Sequence, residues 1–369
     1  LLWPAVYDHT HQVSLLAIGF VVMALRALHR LLDRGRISDM VRLGVWLGLI
    51  GILRFQMLIF GAFIWGFYAL IRLAGMRLRV VSRRVLRCLG AGALGALIST
   101  PFILPYLIYH FGVREADELV ASISGAHFSD LVFYLLPRSR HILFGGLSDE
   151  LAANRGLALS LNSPAIGWVT LILVAVSLIL NFRHSRKWAA IAGALLVLAL
   201  GAHPHLFGVV VRFDPYARVY SERLLPLLRE PDRFNLLLAI PIGLLAGFGF
   251  EKIQSRLQTP SLRGIAVLSV VGLVFLDSVA LPHRHLGVGV PSWHRSVADN
   301  GEDYALLEIP MYRQSDERYM LYQLTHGKPL VHGHVSRVPG RAYEFIDAVP
   351  LLHHLQYVDH SAPPSGDFN

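Results

Sequence analysis

Four arginines, Arg218, Arg223, Arg229 and Arg233, fall between Pro215 and Phe234. A guanidinium is a planar fork of donors that matches the oxygens of a phosphate. Arg229 and Arg233 directly precede an apolar run, and the free amides of a helix starting there add attraction for an anion. Glu222, Glu230 and Asp232 share the stretch, so phosphate binding and internal ion pairing both fit. Arg54 and Gln56 form a second polar point, in the short connection between two apolar runs. Ionisable groups at membrane depth are costly and default to a functional reading, with snorkelling to the headgroups as the plain alternative for Arg54. Asp277 stands near the end of the last apolar run, five residues before Pro282, where reaching interfacial water is the simpler role. Asp8, His9 and His11 are ligand types that suit a divalent metal. Packed into four positions, they read better as an interfacial polar collar. The same holds for His203 with His205 and His332 with His334. No set of metal ligands is therefore assigned, and a divalent metal stays an open cofactor. Walker, nucleophile-elbow, HExxH and dinucleotide motifs are absent from the sequence.

The elements that must position these residues are apolar. The chain is 54% hydrophobic and only 16% charged, with a mean hydropathy of +0.50, where a soluble domain carries roughly 25% charge. Stretches long enough to span a bilayer cover 13–29, 57–74, 88–109, 165–182, 232–250 and 264–282, with weaker ones at 41–55 and 188–201. The fold expected is an α-helical integral membrane bundle of about eight transmembrane helices. The net charge of +9 sits in short clusters between apolar runs, as in cytoplasmic loops, not along one face as nucleic-acid binding requires. Four clusters matter: Arg26 to Arg42, Arg72 to Arg87, Arg183 to Lys187, and Lys252 to Arg263. They fall on one side of the bilayer only if 41–55 and 57–74 are separate spans, which predicts a tight hairpin around Arg54–Gln56. Gly243 and Gly247 form a small-xxx-small pair that predicts close helix packing. Cys88 stands alone, which excludes an intrachain disulfide.

This topology makes 1–282 a transmembrane domain with outer loops 110–164 and 202–231. Phe128–Pro137 is too short to span and reads as an interfacial helix or as an apolar patch in a folded loop. The polar, His-rich remainder, 283–369, is expected to be a small extracytoplasmic α/β domain, cut short at its end. Its elements are strands at Tyr304–Pro310 and Leu330–Gly333 and a helix over Asp316–Thr325. The chain reads as a fragment, starting at Leu1 and stopping on Asn369.

Three pieces carry a family resemblance. They are Ala126–Pro137 followed by Ala165-Ile-Gly167, then Pro215–Phe234 running into Leu236–Gly249, and last Ala305-Leu-Leu-Glu-Ile-Pro310 with Tyr319–Pro329 and Gly333–Arg337. In order and spacing the chain resembles bacterial polytopic proteins related to GT-C-type glycosyltransferases, which take sugars from polyprenyl-phosphate carriers. The resemblance implies a multi-pass protein of the bacterial plasma (inner) membrane. It would transfer a sugar from a polyprenyl-phosphate-linked donor to an extracytoplasmic glycan or protein acceptor, with inversion at the sugar carbon. The acidic base of that family belongs to a first large outer loop near the N-terminus, which this chain lacks, so the catalytic residue is unknown. What carries over is Arg229 and Arg233 at the donor phosphate, with Tyr216 and Arg218 nearby. Asp8, His9, His11, Arg54 and Gln56 form an outer-face polar set, and Gln323, His326 and Arg337 face the acceptor. Two rival readings remain: a non-catalytic scaffold of envelope assembly, and a transporter or flippase for lipid-linked sugars. The second predicts repeated halves and charged, broken spans, of which the sequence shows little.

Overall fold

The computed structural model describes residues 17–112, 130–137, 141–155, 164–220, 231–279, 289–309, 311, 317–333 and 344–357. The chain divides into two compact units, 1–109 with 120–283 and 110–119 with 284–369.

In the first unit the apolar spacing sets which face of each helix is covered. α1 (Ile18–Arg34) buries Val21, Ala24, Leu25, Leu28, Leu31 and Leu32, the stripe of a helix packed on one side. It ends at Gly35, whose φ of 64° is left-handed and whose N–H returns to the Leu31 carbonyl, a conformation glycine adopts without strain. A Cβ at Gly35 would also land on the guanidinium of Arg84, which donates to the Asp33 carbonyl at 3.0 Å. Two basic clusters distant in sequence are thereby tied together.

α2 (Ile37–Arg54) and α3 (Gln56–Leu73) are separate helices joined through Phe55. Contacts fix their directions. Trp65 Nε1 donates to the Val21 carbonyl at 3.3 Å, Tyr68 meets His29, and Arg72 meets Asp33, so α3 runs parallel to α1. Gly44, Gly48 and Gly51 lie against Leu94, Ile98 and Ser99 of α4 (Leu78–Gly112), so α2 runs parallel to α4. The four helices alternate in direction, with the turn at Phe55 at one end and the basic connections at the other. That is the arrangement the placement of arginines demands.

The described part of Phe128–Pro137 holds a 3-10 turn, Leu131–Tyr134, with Val132, Phe133 and Tyr134 buried. This is the apolar patch in a folded loop. α5 (Gly145–Arg155) follows it. α6 (Trp168–Leu180) and α7 (Phe182–Ala199) form a hairpin whose turn is pinned by the Ser177 and Ser185 hydroxyls, 2.7 Å apart. A two-residue ribbon, β1 (His205–Leu206) and β2 (Val209–Val210), precedes α8 (Asp214–Val219). α9 (Phe234–Gln254) packs through Phe234, Leu237, Leu238, Ile242, Leu245 and Gly249. α10 (Pro260–Ser278) starts with Thr259 accepting the Leu262 N–H and with Pro260 in its first turn, two ordinary helix-start devices.

The glycine pair in α9 corrects one expectation. A Cβ on Gly243 or Gly247 meets nothing within 4 Å. These two residues stand beside the buried stripe of Ile242, Leu245 and Gly249, not on it, so no neighbouring helix packs closely against them. The intimate contacts fall at Gly44, Gly48, Gly51 and Gly249 instead.

Four helical segments among the described residues are long and apolar enough to cross a membrane: Gln56–Leu73, Leu78–Pro105, Pro231–Gln254 and Pro260–Ser278. Trp168–Leu180 is apolar but shorter. α10 has no buried residue, and its Ile265, Leu268, Val271 and Leu273 are exposed. So broad an apolar surface suits hydrocarbon rather than water.

The second unit contains α11 (Trp293–Ala298), α12 (Glu317–His326), α13 (Glu344–Ala348) and α14 (Pro350–Tyr357). Its core gathers Met311, Ile346 and Leu352. The strands expected at Tyr304–Pro310 and Leu330–Gly333 appear, among the described residues, as a single parallel bridge between Leu306 and Leu330. The helix expected over 316–325 is α12.

Candidate functional site

Two polar points that the sequence offers separately come together at the end opposite the basic connections. Gln56 opens α3 and Arg233 closes the 3-10 turn Pro231–Arg233 that leads into α9. Arg233 Nη1 donates to Gln56 Oε1 at 2.6 Å, and Arg54 Nη2 reaches the same oxygen at 3.5 Å. Phe60 and Phe63 set their rings edge-on to Phe234, at 4.8 and 5.2 Å, which locks α3 to the first turn of α9. Arg233 is only 5% exposed. Two guanidinium groups thus converge on one neutral carbonyl beside a helix start. A phosphate oxygen there would meet charge-assisted donors from both.

Tyr216 and Arg218, also expected near the phosphate, belong to α8. Tyr216 donates its hydroxyl to the Val197 carbonyl at 2.8 Å, and Tyr220 does the same to Leu198. Both anchor α8 on the C-terminal carbonyls of α7, which helix geometry leaves without internal partners. Burial pushes the Tyr216 hydroxyl up to about 12, so it remains a donor at neutral pH. Arg218 is exposed on α8. Arg229, together with Asp8, His9, His11 and Arg337, lies outside the described residues.

Two carboxylates have structural tasks at the same end. Asp130, buried, accepts the amides of Val132 at 2.9 Å, Phe207 at 3.1 Å and Gly208 at 2.7 Å. It falls inside the Ala126–Pro137 piece, where its own neighbours do not mark it out. Two of its partners lie 77 and 78 residues away, and no local spacing announces them. Asp277 accepts the Val169 N–H at 2.8 Å and so caps the start of α6.

In the second unit, Gln323 Nε2 donates to the Lys328 carbonyl at 3.1 Å, and His326 Nδ1 accepts the Lys328 amide at 3.0 Å. These two residues, expected on the acceptor side, hold the turn through Gly327, whose φ is 66°. His326 also joins a buried group that the sequence does not reveal. Ligand-type atoms of His294, Glu308 and His326 all lie within 4.8 Å of one another, a donor set suited to zinc. Two hydrogen bonds order part of this group, while His326 Nε2 and His294 Nδ1 are buried without a hydrogen-bond partner among the described residues. With Nδ1 accepting from Lys328, the proton of neutral His326 sits on Nε2, while His294 Nε2 closes on Glu308 Oε1 at 3.0 Å. A metal held by His326 Nδ1 would displace the Lys328 amide.

Burial, helped by the neighbouring His294, lowers the His326 pKa below its ordinary value. The imidazole therefore stays neutral in the folded unit, whereas the unfolded chain takes up a proton near pH 6.5. Stability from this group is present above that pH and is lost as pH falls. Deuterium uptake over 317–328, corrected for intrinsic exchange, is expected to rise between pH 7 and pH 5. His326→Gln should flatten that rise. An equally steep rise in the variant would assign the acid sensitivity to another group.

No protein-family model matches the chain, and no curated protein matches it.

Proposed function

We propose that the chain belongs to a GT-C-type membrane glycosyltransferase, which binds the phosphate of a polyprenyl-linked sugar at Arg54 and Arg233 and transfers the sugar outside the cytoplasm. The observation that supports this reading is the convergence of both guanidinium groups on Gln56 Oε1. Arginine pairs recognise phosphate in two dimensions, and the start of α9 adds its own donors. On this reading the bundle has about eight spans in a bacterial plasma membrane. The Arg54–Gln56 turn faces outside, as does the C-terminal α/β domain with the acceptor. The base is not assigned to any described residue.

A non-catalytic scaffold that grips a lipid carrier is the second reading, favoured by the burial of Arg233. Transfer of radiolabelled sugar from polyprenyl-phosphate donors by the full-length protein in vesicles separates the two. Arg54→Ala with Arg233→Ala is expected to reduce transfer about 100-fold, the effect of roughly 3 kcal/mol of lost charge-assisted bonding. Arg233→Lys should keep part of it. Undiminished transfer in the double alanine variant removes the phosphate assignment. Wild-type protein that binds donor without transfer favours the scaffold.

A further inference from the structure

A cavity of about 990 Å³ opens at the other end of the bundle, bordered by α1, α3, the start of α7 and α9. Its inner wall is apolar: Ile18, Val22, Leu25, Ile240 and Leu244 line it. Its rim is basic. Arg26, Arg72, Arg183 and Lys187 border it, with His29 and His184.

Among the described residues, Asp33 is the acid that contacts this rim, and it is already engaged by Arg72 and by His29 Nε2 at 3.2 Å. The other face of His29 meets the Tyr68 hydroxyl at 2.5 Å, and Trp188 stacks on the Tyr68 ring at 5.4 Å. Arg26, Arg183 and Lys187 have neither an ion pair nor a hydrogen bond among the described residues. Three unneutralised cations around one opening repel each other, and an anion placed between them relieves that repulsion. The apolar wall below excludes a small hydrated ion as the natural occupant. The rim and wall together match an amphiphile whose anionic head lies level with the basic connections.

We propose that this cavity binds an anionic phospholipid of the surrounding bilayer, with the phosphate between Arg26, Arg183 and Lys187 and an acyl chain along the α1 and α9 walls. A phospholipid is favoured over a soluble phosphate because the apolar wall needs a chain to cover it. It is favoured over an isoprenyl phosphate because the rim lies among the arginine-rich connections, at the level where bulk headgroups are present in excess. The site is separate from the Arg54–Arg233 pair, at the opposite end of α3 and α9, so either can fail alone.

Native mass spectrometry of the full chain, released from detergent with added phosphatidylglycerol or phosphatidylcholine, tests it. At least tenfold greater retention of phosphatidylglycerol is expected. Arg183→Gln with Lys187→Gln should bring retention down to the phosphatidylcholine level. Gly19→Leu with Gly243→Leu should do so as well, because both glycines line the cavity and an added Cβ meets nothing within 4 Å. Lys252→Gln with Arg256→Gln, in the last turn of α9 and just after it and off the rim, should retain the wild-type preference. Equal retention of the two lipids by wild type overturns the proposal, as does full retention after the cavity is filled. A loss in the Lys252/Arg256 variant as large as that in the rim variant assigns the effect to surface charge and also overturns it. Displacement of phosphatidylglycerol by equimolar isoprenyl phosphate, or by inorganic phosphate, refutes the assignment to a phospholipid.

Discussion

Gly249→Ala is expected to lower the melting temperature of the detergent-solubilised protein by about 10 °C, or to prevent its accumulation. A Cβ on Gly249 would lie 1.9 Å from the Leu173 carbonyl oxygen and 3.2 Å from the Ser177 amide. Those are backbone atoms of α6, so no side chain can rotate away to relieve the overlap. The two helices would have to separate by at least about 1.5 Å at the crossing to restore an ordinary contact. That separation opens the contacts of Leu238, Ile242 and Leu245, and overpacking of this kind costs about 3 kcal/mol. Small residues at such crossings let backbones meet closely where no hydrophobic drive operates between helices in lipid. Gly243→Ala and Gly247→Ala are the internal controls. Neither added methyl meets an atom within 4 Å, and alanine propagates a helix better than glycine by about 1 kcal/mol. Both should melt at or above the wild-type temperature. Equal losses at all three positions would mean that glycine flexibility in α9, not the α6 contact, sets stability.

Asp130→Ala is expected to release the β1–β2 ribbon from the bundle. The carboxylate is 6% exposed and is the common acceptor for three backbone amides. Removing it leaves these donors without that partner, at a cost of about 1–3 kcal/mol each. Phe207 adds to the effect, since its φ of 52° is a left-handed conformation that a bulky residue adopts only when held there. The segment should shift from slow to fast deuterium exchange over 205–210 while α1 and α3 keep their protection. Asp130→Asn should fall between, because its amide retains one acceptor oxygen and presents donors where Oδ2 received the Gly208 amide. Unchanged exchange at 205–210 in the alanine variant would show that Tyr216 and Tyr220, anchored on α7, hold the region by themselves.

The helices are legible in the sequence because lipid and protein interiors both select long apolar runs. The hairpin at Phe55 is legible for a separate reason: six arginines between Arg72 and Arg87 would otherwise fall on the wrong side. Contact partners are not legible. That Arg54 and Arg233 meet through Gln56 follows from α3 lying beside the start of α9, and positions so far apart in the chain carry no local signal. The cluster of His294, Glu308 and His326 is hidden in the same way, since each comes from a different part of the second unit. The glycine pattern misleads because a period of four residues marks a helix face without saying which face is packed. The cavity is hidden because its cations, in sequence, are indistinguishable from the loop charges that set orientation.

α10 has no buried residue, so most of its surface meets the surrounding medium, which in a bilayer is hydrocarbon. Near its end, Asp277 grips the Val169 amide at the first turn of α6. α6, with 13 residues, rises only about 20 Å, less than the roughly 30 Å of the hydrocarbon layer. A change of membrane thickness that shifted α10 would therefore be passed, through one carboxylate, to the depth at which α6 begins. In mechanical terms Asp277 is the joint through which a load on α10 would reach the bundle.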